Sequence, residues 1–194
     1  MKPVIVISAI NVRNGGALSI LQDCLSFLQA ELIDKYRITA LVHDASLLKH
    51  VSDVELIAFP LSTRSYFHRI YYEYIYFKKL STELQPHLWL SLHDMTPNVS
   101  ADIRAVYCHN PAPFYKLPLN QVLLEPTFTL FNLFYKYLYK INIKKNDYVI
   151  VQQDWIRRIF KRWYDVSSVV VAYPNIHLTT IESENSKDYY RFFF

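Results

Sequence analysis

Short β-branched runs alternate with amphipathic segments along most of this 194-residue chain, and that alternation restricts the fold more than any other feature. Strands separated by helices build a parallel sheet with the helices packed on its faces. The first run, residues 3–8, is continuously apolar, as expected for a strand buried on both faces. The sequence therefore predicts an α/β protein with a Rossmann-like, doubly wound and mainly parallel sheet.

The pattern predicts seven strands, at residues 3–8, 37–43, 54–59, 87–92, 103–108, 148–151 and 167–172. It also predicts four helices, at residues 17–33, 65–80, 128–145 and 154–164. Asp154 is expected to be the N-cap of the fourth helix. In the second helix, apolar side chains at helical spacing predict the buried face: Phe67, Ile70, Tyr71, Tyr74 and Phe77.

Residues 1–175 provide enough chain for one such domain. The chain becomes polar after Pro174 and then ends in aromatic residues, so residues 176–194 are expected to be a linker and the first strand of a missing C-terminal domain. No run approaches the ~20 apolar residues that cross a bilayer, and no signal-peptide pattern precedes the first strand. We therefore expect a cytoplasmic protein, with Cys24 and Cys108 as free, buried thiols.

The chain has only two glycines, and they are adjacent: Gly15 and Gly16 lie between the first predicted strand and the first predicted helix. A helix start offers free N–H groups, and residues without side chains let an anion approach them. The dinucleotide fingerprint and the P-loop motif are both missing. The pair therefore predicts either a phosphate-facing turn, with Ala17 following it, or a simple tight turn.

Histidines lie at the ends of three predicted strands. His109 and Asn110 come after the fifth strand, and His93 and Asp94 after the fourth; His43 ends the second and is followed by Asp44. Carboxyl ends of parallel strands meet at one edge, where α/β enzymes have their sites. Hydrogen-bonded structural histidines are the alternative. The spacing matches no zinc motif, so no metal is expected. A serine hydrolase is disfavoured because GxSxG is missing, whereas a glycosidase with paired carboxylates stays open.

Basic residues fall on two predicted helix faces. The first face has Lys136, Lys140 and Lys144 at intervals of four, and the second comprises Arg157, Arg158, Lys161 and Arg162. Basic residues beside tyrosine and tryptophan suit either peripheral contact with an anionic membrane surface, here its inner face, or a lipid-phosphate acceptor; a solvated helix face is the alternative. A net charge of only +4 and the lack of a recognition motif argue against a nucleic-acid partner.

Three segments together resemble the N-terminal domain of family 4 glycosyltransferases, which have the GT-B fold. The first segment runs from Ser8 through the glycine pair to Leu21, and the second is Cys108-His109-Asn110-Pro111 with Phe114 and Tyr115. The third is residues 149–156 leading to residues 169–175. The resemblance covers residues 1–175 in order.

This resemblance implies two Rossmann-like domains facing a cleft, with the acceptor bound mainly by the N-terminal one and the nucleotide-sugar donor mainly by the C-terminal one. It implies retention of anomeric configuration and no metal or other cofactor. Gly15, Gly16 and Ala17 would lie near the donor diphosphate, and His109 would contact the donor sugar or phosphate. We hypothesise that five further residues line the acceptor side: Arg13, Asn14, His93, Asp94 and Asn110.

The implied function is transfer of a hexose-type sugar to a saccharide or lipid-linked acceptor in bacterial surface polysaccharide synthesis. Because the family's donor-binding carboxylates and basic phosphate ligands lie in the second domain, the present chain alone is expected to be inactive. One alternative is a non-catalytic Rossmann-like module that binds a lipid phosphate or a protein partner. Another is a nucleotide-sugar epimerase with the same two-domain architecture.

Overall fold

Seven strands form one sheet in the structure, a computed structural model that describes residues 2–49, 51–114 and 126–173. Neighbouring strands are all parallel, and their order across the sheet is β3-β2-β1-β4-β5-β6-β7. The predicted α/β, Rossmann-like fold is thus confirmed. Residues 176–194, predicted to be a linker and a strand, lie outside the described residues. The strands are β1 Val4–Ala9, β2 Arg37–Val42, β3 Glu55–Ala58, β4 Leu88–Ser91, β5 Ile103–Cys108, β6 Tyr148–Val151 and β7 Val169–Val171.

The strand order reverses direction between β1 and β4. The chain proceeds outward from β1 to β2 and β3, then crosses back to place β4 on the other side of β1 and continues to β7. Ile5 pairs with Leu88 and Ser8 with Ser91, so β1 and β4 are in register along four residues. A reversal of this kind opens a crevice outside the carboxyl ends of the two strands.

Helices cover both faces of the sheet. On one face, α1 (Gly15–Glu31) buries Leu21, Leu25 and Leu28 against alternate residues of β1 and β2. The crossover from β3 to β4 lies on the other face and consists of α2 (Tyr66–Tyr71), a π-helical turn (Tyr72–Tyr76) and α3 (Phe77–Leu84). The remaining helices, α4 (Pro126–Lys140) and α5 (Asp154–Tyr164), pack on that second face against β5, β6 and β7.

The buried face of the crossover helices differs from the prediction. Phe67, Ile70 and Tyr71 are exposed, with Phe67 85% accessible. Arg69 and Glu73 are buried instead, and Phe77 continues their row at intervals of four residues. The prediction was wrong because it followed hydrophobicity, whereas this face meets polar groups at the ends of β1 and β4. Phe77, which was predicted correctly, packs on Trp89 of β4.

Two other local predictions need correction. The predicted helix over 128–145 ends at Lys140, because Asn142 adopts a left-handed conformation and a short 3-10 turn, Ile143–Lys145, follows. Lys144 therefore leaves the row of Lys136 and Lys140 and pairs with Asp165 at 2.7 Å. Asp154 is the first residue of α5 rather than its cap, which is Gln153, and its carboxylate pairs with two basic residues of α5, Arg157 and Arg158.

Left-handed backbone conformations occur at several non-glycine residues of the described chain. Two of them end helices, Gln85 after α3 and Asp165 after α5. Aspartate and asparagine tolerate this conformation better than most residues because their short side chains bond locally. Another, Asp94, follows β4 at the strand reversal with φ of 68°. Strain of this kind tends to occur at functional sites.

Candidate functional site

Three loops meet at the carboxyl edge of the sheet beside the strand reversal. They begin at Ile10 after β1, at Leu92 after β4 and at His109 after β5. These strands are consecutive in the sheet, so the ends of β1 and β5 lie two strand spacings apart, about 10 Å. The residues that the sequence singled out after these strands are therefore gathered in one region.

The start of α1 is open to a ligand. Asn14 occupies the cap position in an extended conformation, and its side chain makes no capping hydrogen bond. Gly15 has φ of 64°, which explains why this position has no side chain. A Cβ placed on Gly15 or on Gly16 meets no other atom within 4 Å, so both glycines border free space. The first-turn N–H groups, those of Gly16 and Ala17 among them, are thus available to an anionic group.

Asp94 organises the turn that follows β5. Its carboxylate accepts hydrogen bonds from the backbone N–H groups of His109 (2.8 Å) and Asn110 (3.2 Å). It also accepts from the hydroxyls of Tyr139 (3.0 Å) and Tyr135 (3.2 Å), both on α4. Burial and then the Asp94 carboxylate raise the pKa of Tyr139, so the hydroxyl remains a donor. Four donors hold this carboxylate, and its side chain is 6% exposed.

His109 has a fixed orientation and remains partly open. Its Nδ1 lies 3.4 Å from Oδ1 of Asp94, a close electrostatic contact outside hydrogen-bonding geometry. The ring stacks on Tyr107, with centroids 6.0 Å apart and an interplanar angle of 23°. The side chain is 28% exposed although Nδ1 is buried, so the rest of the ring is partly open to solvent. Asn110 is held as well, because its Oδ1 accepts from the N–H of Ala112.

His93 belongs to a buried network and does not line the crevice. Its side chain is 1% exposed, and Nε2 lies 3.0 Å from Oε1 of Glu73 and 3.2 Å from Oγ of Ser8. On the other side of the ring, Nη2 of Arg69 donates to the His93 carbonyl oxygen at 3.1 Å. The polar residues of α2 and the π-helical turn are therefore buried because they bind the loop after β4.

Both titrating groups of this network favour their neutral forms. Burial raises the pKa of Glu73 to about 8, even though Arg69 acts in the opposite direction. Burial, reinforced by the charge of Arg69, lowers the pKa of His93 well below 6.5. At neutral pH the contact therefore joins an uncharged carboxyl group and an uncharged imidazole, and Arg69 carries the charge of the network.

A cavity of about 310 Å³ opens where the loop after β1 meets the segment before α2. We call it the arginine cleft; it is lined by Asn11, Arg13, residues 62–66 and Arg69. Nη2 of Arg13 donates to the carbonyl oxygen of Thr63, which ties the two walls together. The Asn11 amide, oriented with its oxygen toward Arg69, accepts from both terminal nitrogens of the guanidinium at 3.0 and 3.2 Å.

The structure thus separates the predicted site residues into two groups. Arg13 lines the cleft beside the strand reversal, and Asn14, the glycine pair, His109 and Asn110 follow β1 or β5 at the carboxyl edge of the sheet. His93 and Asp94 lie at the predicted edge but contact other protein groups. Sequence reasoning missed Arg64, Arg69 and Glu73. The signal that could have found the last two is a pair of charges at i and i+4 inside an otherwise aromatic helix.

Elsewhere in the described structure the candidate binding sites have fewer features that point to a ligand. A larger cavity of about 870 Å³ lies at the amino edge of the sheet, between residues such as Pro3, Arg37 and Glu83, away from the strand reversal. Among the described residues no group of three or more histidine, cysteine or acidic side chains could hold a metal ion. Within residues 2–49, 51–114 and 126–173, no helix is long and apolar enough to cross a bilayer.

Comparison of the chain with models of known protein families and with functionally characterised proteins gives no match. The function must therefore be argued from the crevice itself. Its distinguishing features are an uncapped helix start beside open space, a partly exposed imidazole fixed by a buried carboxylate, and a neighbouring cleft lined by arginines.

Proposed function

We propose that this chain is the acceptor-side domain of a retaining, nucleotide-sugar-dependent glycosyltransferase. The observation that carries the proposal is the shared edge of α1 and His109: the open start of α1 follows β1, and the imidazole beside Asp94 follows β5, at the carboxyl edge of the sheet where the strand order reverses. A nucleotide sugar has an anionic diphosphate next to a sugar. The start of α1 suits the anionic diphosphate, and the His109 imidazole suits the hydroxyl-rich sugar ring.

The chemistry assigns a role to each feature. Departure of the nucleoside diphosphate leaves negative charge on its oxygens, and fixed N–H donors at Gly16 and Ala17 stabilise that charge. The His109 ring hydrogen-bonds the donor sugar or its phosphate. Arg13, Asn14 and Asn110 position the acceptor, here a saccharide or lipid-linked molecule of bacterial surface polysaccharide synthesis. A second domain supplies the remaining donor contacts.

His93 and Asp94 act through the protein in this proposal. Asp94 fixes the backbone of His109 and Asn110 through two N–H groups, and His93 joins the loop after β4 to Ser8 and Glu73. They are positioning residues, and no direct contact with the acceptor is assigned to them. Their contribution is to keep the crevice in one geometry, which a transfer reaction requires.

Donor binding tests the proposal. UDP-, GDP-, ADP- and dTDP-sugars are screened by thermal shift and calorimetry with the intact protein and with Gly16→Val. A Cβ at Gly16 borders open space, so the variant is expected to fold, and the proposal predicts weaker donor binding by about tenfold or more. Ala30→Val, an exposed position near the other end of α1, is the matched control and keeps normal binding.

Two results would contradict the proposal: no nucleotide sugar binds, or Gly16→Val binds the donor as well as the unmodified protein does. A non-catalytic binding module is the second candidate, favoured by the exposed aromatic side chains of α2. Product analysis with a labelled donor separates the two, because a module binds ligand without releasing nucleotide or forming a glycoside. The same analysis detects an epimerase, which changes the donor sugar without transferring it.

A further inference from the structure

Arg69 carries a positive charge and makes no ion pair within the described structure. Its side chain is nine-tenths buried in the floor of the arginine cleft, and its Nε has no hydrogen-bond partner. Within the described residues, the terminal nitrogens contact neutral acceptors: the Asn11 amide, the His93 carbonyl and, at 3.5 Å, the Nδ1 atom of His93. Glu73 lies one helical turn away, but burial raises its pKa to about 8 and leaves it uncharged at neutral pH. A buried charge without a counter-charge is unfavourable, and an anion in the cleft removes that penalty.

The other charged groups of the cleft have the same sign. Arg13 and Arg64 line it together with Arg69, and none of its described lining residues is acidic. In the described part of the chain, no carboxylate oxygen lies within 4.0 Å of any of the three guanidinium groups. Planar guanidinium groups match the oxygens of a phosphate in pairs, which makes a phosphate or diphosphate the best-fitting anion.

An exposed apolar surface continues from the mouth of the cleft. Tyr66 lines the cleft and is 74% exposed, and Phe67, Ile70 and Tyr71 follow it on α2 with their side chains in solvent. Clustered exposed aromatic and aliphatic side chains indicate an apolar partner. Because Tyr66 belongs to both surfaces, one ligand with an anionic end and an apolar end can occupy them together.

We propose that the arginine cleft binds the phosphate or diphosphate group of a lipid-linked molecule whose hydrocarbon chain lies along the exposed aromatic face of α2. That this molecule is the sugar acceptor rests on the proposed transferase function; its binding does not. The anionic group neutralises Arg69, while Arg13 and Arg64 contact its outer oxygens. The hydrocarbon covers Phe67 and its neighbours, so neither half of the ligand alone accounts for the whole surface.

Calorimetric titration of the chain with three probes tests the proposal: inorganic pyrophosphate, farnesyl diphosphate below its micellar concentration, and farnesol. Pyrophosphate is expected to bind, farnesyl diphosphate to bind about tenfold tighter or better, and farnesol to show no measurable binding. Raising the salt concentration weakens both diphosphates, since the contacts with Arg13 and Arg64 are partly exposed. UDP is titrated in parallel to test whether the cleft prefers a nucleoside diphosphate to a lipid diphosphate.

Variants separate the two halves of the surface. Arg64→Gln, an exposed position, is expected to weaken pyrophosphate and farnesyl diphosphate alike by about tenfold. Phe67→Ser is expected to weaken farnesyl diphosphate only. Arg162→Gln on α5, an exposed arginine outside the cleft, leaves both affinities unchanged. Arg69→Met is made last, with its folding checked by circular dichroism, because that position is buried.

Absence of pyrophosphate binding, or an Arg64→Gln variant that binds like the unmodified chain, would overturn the proposal. Equal affinities for pyrophosphate and farnesyl diphosphate would do the same, because the aromatic face would then contribute nothing. The proposal would also be overturned if UDP displaced pyrophosphate and bound more tightly than farnesyl diphosphate, because the cleft would then bind the nucleotide of the donor. All these binding measurements are made without a sugar donor, so their result is independent of sugar transfer. The lipid-binding proposal can therefore be wrong while the transferase proposal is right, and the reverse.

Discussion

Nε2 of His93 lies 3.0 Å from Oε1 of Glu73, and the two side chains are 1% and 0% exposed. The contact joins the loop after β4 to the π-helical turn of the crossover. It connects a loop at the carboxyl edge of the sheet to the crossover through two titratable side chains. The stability of the fold is therefore linked to the protonation of Glu73 and His93.

Glu73 makes stability fall as the pH rises above 6.5. The ordinary pKa values are 4.5 for Glu73 and 6.5 for His93, and in the folded chain they move to about 8 and to well below 6.5. Just below pH 6.5 the folded chain holds one extra proton on Glu73 and lacks one on His93, so the two effects oppose each other. Between pH 6.5 and 8 only the extra proton on Glu73 remains, and the free energy of unfolding falls by about 2 kcal/mol.

Urea denaturation at pH 6.5 and pH 8 measures this loss. Glu73→Gln keeps the shape of the side chain without titrating, so its free energy of unfolding is expected to change less over the same interval. Glu83→Gln, an exposed position on α3, is the control and retains the fall seen in the unmodified chain. An equal pH dependence in Glu73→Gln and in the unmodified chain would show that Glu73 ionises normally.

Asp94 is expected to be essential to the fold of the crevice. Alanine at this position would leave the N–H groups of His109 and Asn110 and the hydroxyls of Tyr139 and Tyr135 without the carboxylate that accepts from them. We expect Asp94→Ala to lower the free energy of unfolding by about 2–4 kcal/mol. Chemical denaturation measures it, with Asp102→Ala, an exposed aspartate, as the control. A loss below about 0.5 kcal/mol would contradict the role assigned to this carboxylate.

The two glycines are expected to respond differently to alanine. Gly15 has a left-handed backbone, so Gly15→Ala costs about 1–2 kcal/mol. Gly16 has free space beside it and needs no special conformation, so Gly16→Ala is neutral or stabilises by up to about 1 kcal/mol. Urea denaturation of the two variants side by side checks the ordering. Equal stabilities would mean that the turn has a different backbone conformation.

The corrected orientation of the crossover helices gives a direct comparison between two phenylalanines. Phe77 is completely buried beside Trp89, and Phe77→Ala is expected to cost about 3–5 kcal/mol. Phe67 is 85% exposed, and Phe67→Ala is expected to change stability by less than about 0.5 kcal/mol. Thermal unfolding of both variants tests this; a large loss in Phe67→Ala would restore the buried face predicted from hydrophobicity.

The sequence predicts the sheet well because its strands have a simple signature. Buried parallel strands such as Val4–Ala9 and Ile103–Cys108 are mainly apolar runs, interrupted by Ser8 and Arg104 respectively. The adjacency of the loops then follows from topology, which is why Gly15 and His109 were correctly expected at the same edge. The strand limits differ from the predicted ones by only a few residues.

The crossover helices could not be predicted in the same way. Hydrophobic periodicity assumes that the protein interior is apolar, whereas Arg69 and Glu73 are buried against His93 and Ser8, which are distant in sequence. Their burial depends on a tertiary contact across the strand reversal. The arginine cleft depends on the same packing, since its walls come from two loops about 50 residues apart. The local sequence pattern alone therefore predicts neither the burial of Arg69 and Glu73 nor the arginine cleft.

The most direct test of the account is the initial rate of sugar transfer by the intact protein with its best nucleotide sugar, compared between the unmodified protein and His109→Ala. His109 is partly exposed, and its replacement leaves the Asp94 contacts with the backbone in place. The account predicts that the variant folds, as shown by an unchanged unfolding transition, and that its transfer rate falls about 100-fold. A folded His109→Ala variant with an unchanged transfer rate, or an intact protein that transfers no sugar from any donor, would contradict it.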